Sequence, residues 1–208
     1  MLWVLGYPAL LVRPVVDSAR EPRLNQGLLA AISAIGLLCI FYTREMVELF
    51  GYLPRDPGIG LVTSFFAHAG TAHLLGNLYF LRVFGHDVER EIGLRRYAVL
   101  IFGAHVIGVL VHGFADPRPG LPLVGASAGI SGAMAWYACR FPWARFGIRY
   151  SFGRWLSVPA LLLVAFWILN QIMLAMRQYD GETLTSAFGH LGGAAFGVLF
   201  FAFTRKRD

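Results

Sequence analysis

Charge is scarce in this sequence. Only 14% of its 208 residues are Asp, Glu, Lys or Arg, against roughly 25% in an ordinary soluble domain. Hydrophobic residues make up 57%, and the mean hydropathy is +0.59. So little charge cannot coat a soluble globule, and lipid is the expected solvent. Cysteine is nearly missing as well. Cys39 and Cys139 sit in apolar runs with no His or Cys at metal-ligand spacing, which excludes a disulfide framework and suggests packing roles. The apolar runs lack a period of two, which excludes a membrane barrel. A signal peptide is not indicated either: Met1 to Val12 has no basic start, is broken by Pro8, and runs into Arg13-Pro14 without a small-residue cleavage site. A short, interfacial cytosolic tail is expected there instead.

What the sequence does have is a series of nearly uncharged stretches, each long enough to cross about 30 Å of hydrocarbon as a helix. They predict spans near 27-47, 72-88, 95-113, 125-141, 155-175 and 187-204. The fold class is therefore an all-α membrane protein with a six-helix bundle. It divides into a cytoplasmic N-terminal segment, 1-26, a membrane domain, 27-204, and a basic tail, 205-208. With alternating helices, 14 of the 18 Lys and Arg residues fall on one side, and only Arg44, Arg55, Arg118 and Arg177 on the other. The positive-inside rule then puts both termini in the cytoplasm. A model off by one helix would scramble that asymmetry. The net charge of +6 is explained by topology and anionic lipid, without nucleic acid. Arginine outnumbers lysine 17 to 1, a hint of a GC-rich bacterial genome and so of a bacterial inner membrane. The stretch 48-71, with Pro54, Pro57 and four glycines, is expected to fold over the membrane surface.

Even-numbered helices begin on the outer side, and polar groups gather at those three beginnings. His73 and Asn77 stand at i, i+4 on one face of the second helix. Ser127 lies in Gly125-Ala126-Ser127-Ala128-Gly129 at the start of the fourth, and His190 in Gly189-His190-Leu191-Gly192-Gly193 at the start of the sixth. Ser33, Ser131 and Ser157 read as packing serines that bond back to their own turn. Ser127 differs, because Gly125, Gly129 and Gly132 strip bulk from its helix while Gly193 and Gly197 follow His190 on its own face. Two such faces pack closely enough to hold Ser127 within hydrogen-bond reach of His190.

A serine hydroxyl needs a base to act as a nucleophile at neutral pH, and a partly desolvated imidazole is one. The outer carboxylates, Glu45, Glu48, Asp56, Asp116, Asp180 and Glu182, lie in loops or helix ends, so a Ser127–His190 dyad is expected rather than a triad. The Ser127 backbone N–H, His73 and Asn77 are candidate donors to an oxyanion. His105 and His112 read as structural. Asn170 and Gln171 are polar at depth in the fifth helix, which is costly and marks a watery or mobile region.

These residues resemble the rhomboid family of intramembrane serine proteases over roughly 27-204. The resemblance rests on His73-Leu-Leu-Gly-Asn77, Gly125-Ala126-Ser127-Ala128-Gly129 and Gly189-His190-Leu-Gly-Gly193, in that order on even helices. His68, Glu89-Arg90 and Gly93 also match. It implies Ser127 as nucleophile, His190 as general base, and His73 with Asn77 at the oxyanion. It further implies membrane-protein helices as substrates, cut near the outer surface in a water-filled cavity, and no metal or organic cofactor. Two positions depart from the family: Ile59-Gly60 stand where Trp-Arg is common ahead of Thr63, and Ser131 stands where an aromatic packs on the histidine. Two other readings are a rhomboid-like protein that binds membrane clients without cutting them, and a small transporter. Retention of both Ser127 and His190 weighs against the first. The absence of matching halves and of a mid-membrane acid weighs against the second.

Overall fold

The computed structural model describes residues 11–12, 16, 19–116, 118–151 and 154–205. The basic tail at 206–208 and most of the first 18 residues, including the interfacial tail expected there, lie outside the described residues. The chain is mostly helical. Four helices are long and apolar enough to cross a membrane: α1 (Arg23–Phe41), α6 (Leu94–Ala115), α8 (Ala160–Tyr179) and α9 (Ala187–Thr204).

The other expected spans need correction. The stretch 27-47 is two helices, because at Tyr42 (φ −129°, ψ 47°) the chain leaves α1 and turns into α2 (Thr43–Phe50). Arg44, Glu45 and Glu48 make α2 amphipathic, which suits a surface rather than a span. After α3 (Gly60–Thr63), the stretch 72-88 becomes α4 (Thr71–Phe80), a π-helical turn (Leu81–Gly85) and α5 (His86–Ile92). The fourth stretch is α7 (Ser127–Arg140), whose 14 residues rise about 21 Å and fall short of a hydrocarbon core. The fifth starts late. Two antiparallel strands, β2 (Arg145–Ser151) and β3 (Arg154–Pro159), pair with Phe146 opposite Val158 and Gly147 opposite Ser157. A short strand β1 (Leu11–Val12) pairs with β2 on its other edge.

Helix α7 is the centre of the molecule. Every residue from Ala128 to Ala138 is buried, as expected of a helix apolar on all faces. Its flanks are α6, α9 and the π turn. Around its far end, Tyr137, Phe84, Phe146 and Phe141 make an edge-to-face aromatic cluster.

The start of α1 lacks a side-chain cap of its own, since Pro22 precedes it. Glu89 supplies one from α5: its carboxylate accepts the amides of Leu24 (3.0 Å) and Asn25 (2.6 Å). Asn25 in turn donates to the Leu81 carbonyl (3.2 Å) at the start of the π turn and accepts from Tyr97 Oη (2.6 Å). A Cβ at Gly85 would strike both Asn25 and Tyr97, so this polar knot requires a residue without one.

Candidate active site

The site is built on the seam between α7 and α9. A Cβ on Gly193 would enter the Ala128 carbonyl, and one on Gly197 would enter the Gly132 carbonyl. The two backbones therefore touch directly, which is what small residues four apart permit. Gly108 of α6 closes the third side, its missing Cβ leaving room for Ala128 Cβ (2.7 Å).

At the top of that seam Ser127 Oγ lies 2.8 Å from His190 Nε2. Both side chains are partly exposed. His190 is gripped from its other edge as well: its Nδ1 lies 2.7 Å from Gln171 Oε1 of α8. The Trp167 ring, one turn before Gln171, sits 5.9 Å from the imidazole at 40°. Ser131, found where an aromatic was expected, bonds back to the Ser127 carbonyl at 2.6 Å. His190 is thus contacted by α8 at Nδ1 and by Ser127 of α7 at Nε2.

Gly125 has φ +121°, a backbone state that side chains disfavour. Its N–H donates to the Ser64 carbonyl at 2.7 Å. A Cβ there would lie 2.7 Å from His73 Nε2 and 3.8 Å from Ser127 Oγ, so the missing side chain is the space in which the His73 edge faces the serine. His73 Nδ1 accepts the Ala69 amide at 3.4 Å, and its ring meets that of His68 edge to face at 5.0 Å. Asn77, a turn deeper on the same face, is buried, and its amide donates to the His73 carbonyl at 2.9 Å. His105 stands apart, its Nε2 3.3 Å from Ser64 Oγ.

His112 belongs to a polar clasp that holds the start of α9. Ser186 Oγ lies 2.9 Å from His112 Nδ1, and the Ser186 carbonyl accepts the His190 amide. Gln178 of α8 donates to Asp116 (2.6 Å) and accepts the Phe188 amide (3.1 Å). Arg118 forks onto the Asp116 carboxylate (3.0 and 2.9 Å) and donates to the Thr183 carbonyl (2.9 Å). Burial pushes the Asp116 carboxyl up, but the bonds from Arg118 and Gln178 more than offset this and hold it at about 2. The Asp116 carboxylate is thereby committed to Arg118.

Ser127, His190, His73 and Gly125 therefore meet, with Asn77 one turn below; Gly193 and Gly197 line the α7–α9 seam, whereas Gly129 faces α6, where a Cβ would press on the Ile101 carbonyl (2.6 Å). Gln171, Trp167 and the clasp were not assigned to the site from the sequence. The signal for Gln171 and Gln178 was available: with Ala175 they fall on one face of α8, and both amides are buried. The loop that carries Ile59-Gly60 in place of Trp-Arg is tied by other contacts. Ile59 is exposed, but the bare Gly60 packs on the Gly51 backbone, Thr63 Oγ1 bonds the Phe50 carbonyl (2.9 Å), and Tyr52 pairs with Leu123. Among the described residues no three His, Cys, Asp or Glu side chains cluster to hold a metal ion.

A family model described as "Rhomboid domain" matches residues 56–207. RHOMBOID-like protein 12, mitochondrial, of Arabidopsis thaliana is 29% identical over 165 residues, covering 70% of this chain and 46% of its own length. Presenilin-associated rhomboid-like protein A, mitochondrial, of Danio rerio is 26% identical over 196 residues, covering 86% of this chain and 48% of its own. Inactive rhomboid protein 1 of Drosophila melanogaster is 28% identical over 173 residues, which is 83% of this chain but 11% of that protein. The chain spans about half the length of the first two relatives.

Proposed function

From its membership of the rhomboid family, we propose that this integral membrane protein is a serine endopeptidase that hydrolyses peptide bonds in or near the transmembrane segments of other proteins. The observation that carries the reading is the 2.8 Å contact of Ser127 Oγ with His190 Nε2. In the proposed reaction Ser127 Oγ attacks the scissile carbonyl carbon while its proton passes to His190 Nε2. The tetrahedral oxyanion collapses, the C–N bond breaks, and His190 protonates the departing amine. Water then attacks the acyl-enzyme, giving a proton to His190, which returns it to Ser127 Oγ as the C–Oγ bond breaks and the acid is released.

The oxyanion needs donors that are already in place. As the first residue of α7, Ser127 has an amide without an intrahelical acceptor. His73 accepts at Nδ1, so a neutral ring carries its proton on Nε2, the edge that faces Gly125 and Ser127. Asn77 has a second amide hydrogen beyond the one given to His73. Glycines Gly125, Gly129, Gly193 and Gly197 act by letting the helices close. No cofactor enters the scheme.

Six spans, both termini in the cytoplasm, and the domain limits 1-26, 27-204 and 205-208 are part of the proposal. The bias of 14 cations in 18 supports that orientation. The 14-residue length of α7 supports a nucleophile set below the outer surface, since a helix enclosed by protein can end inside the membrane slab. The bacterial inner membrane draws no support from the relatives, two of which are named as mitochondrial; it rests on the arginine excess alone.

The match to an inactive rhomboid protein favours one other reading, a client-binding protein that does not cut. A fluorophosphonate probe separates the two. Stoichiometric labelling of the purified chain, lost in Ser127→Ala, is expected for the protease; equal labelling of both proteins removes the assignment.

A further inference from the structure

The serine-protease reading leaves a gap: what holds the His190 ring and sets which nitrogen carries its proton. We propose, resting on that reading, that Gln171 is a positioning residue, a neutral third partner that fixes His190 in the tautomer and orientation needed to take the Ser127 proton. A carboxamide oxygen cannot donate. At 2.7 Å from Nδ1, Gln171 Oε1 therefore requires a hydrogen on Nδ1. The lone pair is then on Nε2, which faces Ser127 Oγ at 2.8 Å. Turned end over end, the amide would donate to Nδ1 and drive the proton to Nε2, where it would face the serine and disable the base.

Gln171 is buried, 4% exposed, within the most lipid-facing of the four long helices, where an amide is costly unless it is bonded. Its reach is fixed from both sides. Two turns on, Gln178 is tied to Asp116 and to the Phe188 amide, which sets the rotation of α8. One turn back, Trp167 covers the imidazole. The titratable groups facing His190 from the other elements are His73 of α4 and His112 of α6, with Ser127 from α7. Asp116 and Arg118 lie beyond His112 and are paired with each other. Among these groups, only Gln171 is bonded to Nδ1. The arrangement matches the role an acid plays in a triad, done by a group that stays neutral inside a membrane.

The test uses saturation kinetics of fluorophosphonate labelling on the full chain in detergent, with unfolding temperature as a control. Gln171→Leu is expected to lower the maximal inactivation rate about 10²-fold, the scale of a displaced catalytic group, with unchanged probe affinity. Gln171→Glu keeps an acceptor oxygen at the same reach and is expected to recover most of that rate. Gln171→Asn is one methylene short and should behave like the leucine variant. Wild-type labelling by folded Gln171→Leu overturns the inference. So does a folded Gln171→Glu as slow as Gln171→Asn, an arm that still decides if the leucine variant does not fold. Labelling of Ser127→Ala at the parent rate would instead remove the protease reading, so the two failures are distinct.

Discussion

Two buried polar knots lie along the helix that runs from His73 to Glu89, about 24 Å apart by its rise, and they are made of different chemistry. At the Glu89 end a carboxylate caps α1, and Asn25 links the Leu81 carbonyl to Tyr97. At the Ser127 end the groups around the serine are a hydroxyl, imidazoles and a carboxamide, while Asp116, beyond His112, is locked to Arg118. The fixed charge sits where nothing has to change during a turnover. Where the proposed reaction would move a proton, the resting partners are neutral, so no fixed charge has to be kept desolvated beside the Ser127–His190 pair.

Substitutions can break this contrast. The largest effect is expected from Ser127→Ala and His190→Ala, each lowering cleavage of a membrane-protein substrate by at least about 10⁴-fold, as for other nucleophile–base pairs. Asn77→Ala is expected to lose roughly 10²-fold, one oxyanion donor's share, leaving activity that a gel assay can measure. An Asn77 variant as dead as the serine variant would move Asn77 to a structural role. Glu89→Gln should show the opposite pattern, costing about 1–3 kcal/mol of stability through weakened capping while the folded fraction keeps its kcat/KM. If Glu89→Gln slows turnover without loss of stability, the two knots are coupled and the contrast fails.

The smallest effect concerns Asp116, and it has a definite sign. Its folded carboxyl is held at about 2, below its ordinary value of 3.8. Its contribution to stability is therefore complete above that ordinary value and fades as pH falls toward the folded one. Asp116→Asn should flatten the acid limb of an unfolding curve over that window and leave neutral stability lower, read by thermal melts at stepped pH.

Much of the site was legible because helices in lipid leave few reasons for polar residues. Ser127, His190, His73 and Asn77 stood out at helix starts, and Gly193 and Gly197 announced the seam. Gln171 stands out in the sequence only as a polar residue at depth, because nothing local shows that α8 turns its amide onto His190. The strands β2 and β3 were not legible: the arginines before residue 155 suggest a solvated connection and the apolar run after it a helix, although Phe146 of β2 is fully buried and β3 holds the first residues of the expected fifth span. The π turn at Leu81–Gly85 has tertiary partners, Asn25 directly and Tyr97 through it, that no local pattern contains.

The glycine seam has one more consequence, a matter of registration. Its contacts repeat every four residues on both helices, Ala128 with Gly193 and Gly132 with Gly197. Sliding α9 by one turn would set Gly189 on Ala128 and Gly193 on Gly132, still small against small. Close packing alone therefore does not choose between two alignments of the helices, of which only one brings Ser127 to His190. The choice falls to the ratchet teeth at the outer end, where Ser186 meets His112 and the Phe188 amide meets Gln178. The seam supplies closeness, and a handful of loop-edge polar groups supply the phase.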